Sequence, residues 1–170
     1  MVSTISFIQA NLQHSIATSG ILTRTVVVKG IDMTLVQGPW YREDCIRGLN
    51  IPGYILYSVR GKERPSACIL ARNMNALVLP EFSCRELVAI LIQYIEDGAE
   101  RRLVVCSAYL PFDSENPPPS REIEELVRYC ANKNLCLIVG CDSNAHHTAW
   151  DSTNCNGRGS PCLSFSIFRT

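Results

Sequence analysis

The sequence predicts an α/β domain, and three observations predict it. Apolar runs of strand length end abruptly at polar residues, as in Leu135-Cys136-Leu137-Ile138-Val139-Gly140-Cys141-Asp142. Segments with helical periodicity and capping signals lie between such runs. The order is strand, helix, several strands, helix, strand, helix, strand, the alternation that builds layered α/β domains. A length of 170 residues suits one domain with a core of useful size, and 46% hydrophobic against 19% charged residues is ordinary for a globular chain.

Taken in order, Ile5 to Leu12 reads as a strand ending near Asn11. His14 to Lys29 is a weaker helix candidate, because Gly20, the threonines and Val26-Val27-Val28 lower helical preference. Gly30 punctuates, and Ile31 to Gln37 reads as a second buried strand, broken by Gly38-Pro39-Trp40. Shorter strands are expected at Tyr54 to Ser58, Ala67 to Ala71, Ala76 to Leu79 and Leu103 to Leu110. Ser83 and Glu86 have capping-box spacing, and Leu87, Ile90, Leu91, Tyr94 and Ile95 follow at helical intervals, so a helix ending at Gly98 is expected. In a second helix Ser120 caps, Glu122 and Glu124 suit the positive helix start, and Ile123, Leu126, Val127 and Cys130 form the buried face. The strand Leu135 to Asp142 is apolar enough to be buried on both faces. After it, Gly157-Arg158-Gly159-Ser160-Pro161 reads as a loop, and Cys162 to Phe168 is too short for another layer.

Sixteen basic and sixteen acidic residues leave no net charge, which removes a bulk electrostatic argument for nucleic-acid binding but leaves room for a local patch. Arg60, Lys62 and Arg64, with Arg42 and Arg47, form one candidate; a solvated loop is the simpler reading. Nine cysteines at 45, 68, 84, 106, 130, 136, 141, 155 and 162 form no C-x-x-C pair. Neither a disulfide framework nor a zinc site is indicated, and reduced, mostly buried thiols of an intracellular protein, nuclear or cytoplasmic, are expected. The N-terminus lacks the pattern of a secretory signal, and no apolar run approaches membrane-spanning length. No membrane partner and no small-molecule cofactor are indicated.

The chemistry is expected just beyond Val139. Open α/β sheets collect ligands at the carboxyl ends of their strands. If the chain stays extended, Asp142, Asn144 and His146 fall on one side. A carboxylate can ligate a hard cation, an amide can donate to a phosphate oxygen, and an imidazole can bond or move a proton. Asp-Ser-Asn after a strand is equally an ordinary Asx turn.

Four blocks carry a resemblance: Ile8-Gln9-Ala10-Asn11-Leu12-Gln13-His14-Ser15, Leu35-Val36-Gln37-Gly38-Pro39-Trp40, Ser107-Ala108-Tyr109-Leu110-Pro111, and Gly140-Cys141-Asp142-Ser143-Asn144-Ala145-His146-His147-Thr148-Ala149-Trp150. In this order they resemble the endonuclease domain of non-long-terminal-repeat retrotransposons, within the endonuclease/exonuclease/phosphatase superfamily. The resemblance implies a four-layer α/β sandwich and a Mg²⁺- or Mn²⁺-dependent hydrolase that nicks DNA at a phosphodiester. Carried over by position, Asn11 and Asp142 belong to the metal site, Asn11 and Tyr109 contact substrate, and Asp142 positions or deprotonates the attacking water. Asn144 holds a phosphate oxygen, and His146 supports that loop or the DNA backbone. Asn11 as a cap and Tyr109 as a half-buried aromatic are the plainer alternatives. His147 and Trp150 read as loop packing.

Two departures bear on activity. The family carries its principal metal-binding Glu directly before Pro-Trp, where this chain has Gly38. Its C-terminal Ser-Asp-His motif has no counterpart, since the histidines are His14, His146 and His147. The expectation is therefore a partial domain over residues 1–159, lacking its C-terminal strands, with an unrelated or out-of-frame tail over 160–170. Such a copy is expected to be inactive. The alternatives are a noncatalytic module that binds nucleic acid or self-associates through uncovered sheet edges, and a residual phosphoesterase.

Overall fold

A computed structural model describes residues 4–59, 63–115 and 117–167. The strands are β1 (Phe7–Asn11), β2 (Met33–Gln37), β3 (Tyr41–Arg42), β4 (Cys45–Ile46), β5 (Tyr54–Tyr57), β6 (Ala67–Arg72), β7 (Ala76–Val78), β8 (Leu87–Glu96), β9 (Ala99–Tyr109) and β10 (Cys136–Asp142). The helices are α1 (Ile16–Lys29), α2 (Arg121–Lys133) and α3 (Gly159–Ile167).

Two four-stranded sheets, β1-β2-β6-β5 and β10-β9-β8-β7, pack face to face. Met33, Leu35, Ile69 and Ala71 from the first meet Val88, Ile90, Ile92, Leu103 and Val105 from the second, and this cluster is the central core. On the outer face of the first sheet, Leu22 and Val26 of α1 cover Val36, Cys68 and Leu70. On that of the second, Ile123, Leu126 and Cys130 of α2 cover Val104, Cys106 and Ala108. Helix, sheet, sheet and helix make the four layers of an α/β sandwich.

Each sheet contains one parallel crossover. β1, α1 and β2 form the first, with Asn11 opposite Gln37, and β9, α2 and β10 the second, with Asp142 opposite Tyr109. A parallel neighbour requires a crossover connection, so each pair delivers two strand carboxyl ends to the same edge of its sheet. Between the sheets, a Cβ at Gly140 would lie 2.5 Å from Leu35 Cδ1 and 2.9 Å from Leu35 Cβ, so the absence of a side chain there sets how closely β10 approaches β2.

Several expectations need correction. Residues 87–96 are a strand, paired with β9 from Leu87 opposite Ala108 to Glu96 opposite Ala99. Leu87 to Ile92 is apolar without interruption, which suits a strand covered on both faces better than an amphipathic helix. Asp97 and Gly98 both have positive φ (50° and 77°). Asp-Gly in that conformation is the hairpin signal, and Gly98 closes a turn rather than a helix. Ser83 does not N-cap a helix: it closes the 3₁₀ turn Pro80–Phe82, and its hydroxyl donates to Leu79 O at 2.8 Å and accepts from Ala89 N at 3.1 Å.

The weak helix candidate forms as α1. Ser15 caps it through Thr18 N and Gly30 closes it at φ 63°, while buried Ser19, Leu22 and Val26 face the sheet. Tertiary packing here overrides poor propensity. β10 is buried only in part: Cys136, Ile138 and Val139 are exposed, because among the described residues no strand pairs with its outer edge. Only Cys68, Cys106 and Cys130 of the nine cysteines are buried, and all nine are free thiols. Gly159 to Pro161 is the first turn of α3 rather than loop, a position where Pro has no helical N–H to lose. The division at 159/160 thus falls within one helix, whose Phe165 packs against the cluster under α2.

Candidate functional site

The carboxyl ends of β1, β2, β9 and β10 converge at one end of the sandwich, bringing Asn11, Gly38, Tyr109 and Asp142 together. Gln9 Nε2 donates to Cys141 O at 2.9 Å and ties the two sheets beneath them. Gln37 is fully buried and spans the same gap, its Nε2 donating to Ser107 Oγ at 3.0 Å and Gly140 O at 3.2 Å. Ser107 in turn donates to Val36 O at 2.9 Å. Gln37 is therefore an inter-sheet strut, pointing away from the site as strand alternation requires.

Asp142 is the centre of the arrangement. One carboxylate oxygen accepts from Asn11 Nδ2, and the other accepts the backbone N–H of Asn144 at 3.1 Å. The Asx-turn reading is correct, and it coexists with the site reading. Asn11 does not cap α1. Its Oδ1 accepts from Gln13 N at 2.8 Å, which holds the tight bend leaving β1.

Asn144 adopts φ 49°, so the chain does not stay extended past Asp142. Its Nδ2 donates to Leu110 O at 2.9 Å. The turn carries His146 away from Asp142: its ring Nδ1 lies 3.0 Å from Asn154 Oδ1, and its backbone N–H donates to Asn156 Oδ1 at 3.0 Å. The one-sided triad of Asp142, Asn144 and His146 is thus reduced to Asp142 and Asn144. His147 accepts from Ala149 N and packs against the Trp150 ring at 5.4 Å, so both belong to loop packing.

Tyr109 is half-buried beside Asp142 and lines a cavity of about 460 Å³ with Leu110, Arg85, Ser120, Glu122 and Arg158. Among the basic candidates, Arg42 and Arg47 pair with Glu43, and Arg60 and Lys62 lie outside the described residues. Cys141, next to Asp142, is a poor nucleophile. Burial first, and then the nearby Cys162 and Asp142, push its thiol up to about 12.

The donor set does not fit a resident divalent cation. Among the described residues Asp142 is the one carboxylate that ends any of these four strands, Asn11 turns its amide N–H toward it, and the Asn11 oxygen already accepts from Gln13 N. At the position where the resemblance implies a Glu, Gly38 is buried with φ 56°, and a Cβ there would lie 2.9 Å from Asn11 Oδ1. A hard cation needs several oxygens facing one point, and these residues supply too few. Among the described residues no group of three or more His, Cys, Asp and Glu side chains could hold a metal.

Asn156 and Arg158, which are not among the candidates the sequence offers, also hold this loop. Asn156 Nδ2 donates to Asn144 O at 2.9 Å. Arg158 is buried, and its guanidinium donates to Ser143 O at 3.0 Å and Leu110 O at 3.4 Å. The signal available was Asn156-Gly157-Arg158-Gly159, since glycine beside a functional loop often marks close backbone approach. A Cβ at Gly159 would indeed lie 2.1 Å from His146 O.

Residues 103–167 match a family model described as endonuclease-reverse transcriptase. No curated protein sequence matches the chain. Among solved structures it is similar to the endonuclease domain of TRAS1, a telomere-specific non-LTR retrotransposon, with TM-score 0.69, 21% identity, and coverage of 93% of this chain and 67% of that one. It is also similar to an endonuclease/exonuclease/phosphatase family protein from Bacteroides thetaiotaomicron, with TM-score 0.58, 13% identity and coverage of 89% and 68%. Humanized TDP2 of D. rerio superposes with TM-score 0.51, 12% identity and coverage of 90% and 68%. The chain therefore spans about two thirds of the length of these domains, and the likeness to them is one of fold. The four-layer sandwich is thus a fold that this chain shares with proteins of the endonuclease/exonuclease/phosphatase type, and its residues 103–167 are similar to the endonuclease-reverse transcriptase family.

Proposed function

We propose that this chain is a retrotransposon-type endonuclease domain that binds a DNA phosphodiester through Asn144 and Tyr109, beside Asp142, and that its present sequence does not cleave it with Mg²⁺. The observation that carries this reading is the direct Asn11–Asp142 hydrogen bond across the point where Gly38 replaces the family's carboxylate. The remaining Asn144 amide N–H and the Tyr109 hydroxyl are donors suited to phosphate oxygens. Phosphate contacts of this kind position a backbone without reading sequence. In a functional relative a divalent cation would stabilise charge on the reacting phosphate. Here the same end of the sandwich retains donors and loses the cation's ligands.

The test is relaxation of supercoiled plasmid by the 170-residue chain in Mg²⁺ or Mn²⁺ against chelator, with fluorescence anisotropy of a labelled duplex in parallel. Salt-dependent binding without relaxed circles supports the proposal. Relaxed circles that require metal and are lost in Asp142→Ala would overturn the noncleaving reading and establish a residual phosphoesterase. Absence of binding would leave self-association as the better reading. That second reading is favoured by the outer edge of β10, where Ile138 and Val139 are exposed, and sedimentation at rising concentration tests it.

A further inference from the structure

We propose that Asn156 and Arg158 are positioning residues for the loop that carries Asp142 and Asn144. Beyond β10 the chain has no ladder to hold it among the described residues, and the one regular element before α3 is a single 3₁₀ turn at Thr148–Trp150. Peptide groups in that stretch need other partners, and they find them in one short segment. Arg158 Nε donates to Ser143 O at 3.0 Å, and Asn156 Nδ2 to Asn144 O at 2.9 Å. The His146 N–H donates to Asn156 Oδ1, and Asn156 N–H returns a bond to His146 O, both at 3.0 Å.

Arg158 is only 7% exposed, yet it forms no ion pair among the described residues. A buried cation is ordinarily matched with a carboxylate. This one is instead spent on carbonyls from two different strand ends. Its Nη2 reaches Leu110 O at 3.4 Å, the same oxygen that accepts from Asn144 Nδ2 at 2.9 Å. Arg158 thus joins the end of β9, next to Tyr109, to the turn after β10, next to Asp142. The planar fork of a guanidinium can hold two acceptors in fixed relation, which the point charge of a lysine cannot. Gly159 lets the start of α3 approach closely enough for the fork to reach, because any side chain there would collide with His146 O.

The proposal rests on the phosphodiester reading for its consequence, though not for its geometry, so the experiment has two arms. Hydrogen exchange in Arg158→Gln and Arg158→Lys reads the geometry. The amides of Asn144 and His146 should exchange at least about tenfold faster in both variants, with β8 unchanged. Asn156→Ala provides the same readout if the arginine variants do not fold. Unchanged exchange in these variants would overturn the clamp.

Anisotropy with a labelled duplex, on Asn144→Ala, Arg158→Gln and the double variant, reads the consequence. Each single change should weaken binding about tenfold, and the double no more than the worse single, because Arg158 acts through Asn144. Additive losses would overturn that route. Faster exchange together with no binding by the unaltered chain would refute the phosphodiester reading and leave the clamp standing.

Discussion

Placing a carboxylate at position 38 by Gly38→Glu should not by itself create a metal site, and the structure says how much it should cost. Gly38 is held from both sides: its N–H donates to Ser66 O at 2.8 Å and its carbonyl accepts from His14 N at 2.8 Å. These bonds pin the backbone at φ 56°. An L-residue in the left-handed region costs about 1–2 kcal/mol. The new Cβ would also lie 2.9 Å from Asn11 Oδ1 and 3.3 Å from Gln13 N. Moving the Asn11 amide aside breaks its bond to Gln13, at about 1 kcal/mol. The total is about 2–3 kcal/mol, which in a domain of this size lowers Tm by roughly 5–10 °C. Gly38→Ala should pay most of the same cost and so separates backbone strain from charge. Urea denaturation of both variants, with plasmid nicking by Gly38→Glu in Mg²⁺, is the assay. A Gly38→Glu protein as stable as the original, or one that relaxes plasmid, would refute the argument that this conformation excludes the ligand.

Two further outcomes follow from packing and from charge. Gly140→Ala should destabilise by about 1–3 kcal/mol through overpacking against Leu35, whose Cβ cannot yield as a side-chain tip can, and urea unfolding measures it. A loss below about 0.5 kcal/mol would mean that the sheets can separate freely at that point. Burial raises the Asp32 carboxyl, but the Ser6 N–H and O–H, with the Arg72 guanidinium, outweigh it and hold the group below its ordinary value. A depressed pKa stabilises the fold above the unfolded value, near 3.9, and the contribution is lost as pH falls through the folded value. Asp32→Asn should therefore lower stability by about 1 kcal/mol at neutral pH. Denaturation between pH 7 and pH 3 should show that gap closing on the acid side, and a constant gap would count against the assignment.

The legible parts of the fold are those where local and global signals agree. Ser120, the acidic first turn and the spacing of Ile123, Leu126 and Cys130 all point to α2, and α2 forms there. β2 reads as buried and is buried throughout. At residues 83–98 two patterns compete. The capping-box spacing and helical intervals are genuine matches, but the uninterrupted apolar run and Asp97-Gly98 specify a hairpin strand, and the pairing offered by β9 decides between them. Ser160 onward was opaque because α3 has little amphipathic pattern of its own and depends on contacts with the loop after β10.

The sequence by itself determined the α/β class, the turn at Asp142, the absence of a carboxylate at position 38 and the candidate set Asn11, Tyr109, Asp142 and Asn144. Each rests on residue identity or short-range pattern, which the chain carries without folding. Only the tertiary structure decided that Asn11 bonds Asp142 directly, that His146 turns away to Asn154, and that Arg158 braces Ser143 and Leu110. The Asn11–Asp142 contact joins residues 131 positions apart, and Arg158 reaches 48 positions back to Leu110. Such distances are closed by the packing of two sheets. The turn of His146 follows from one backbone dihedral at Asn144, whose left-handed value is stabilised by Asp142 and Leu110 together.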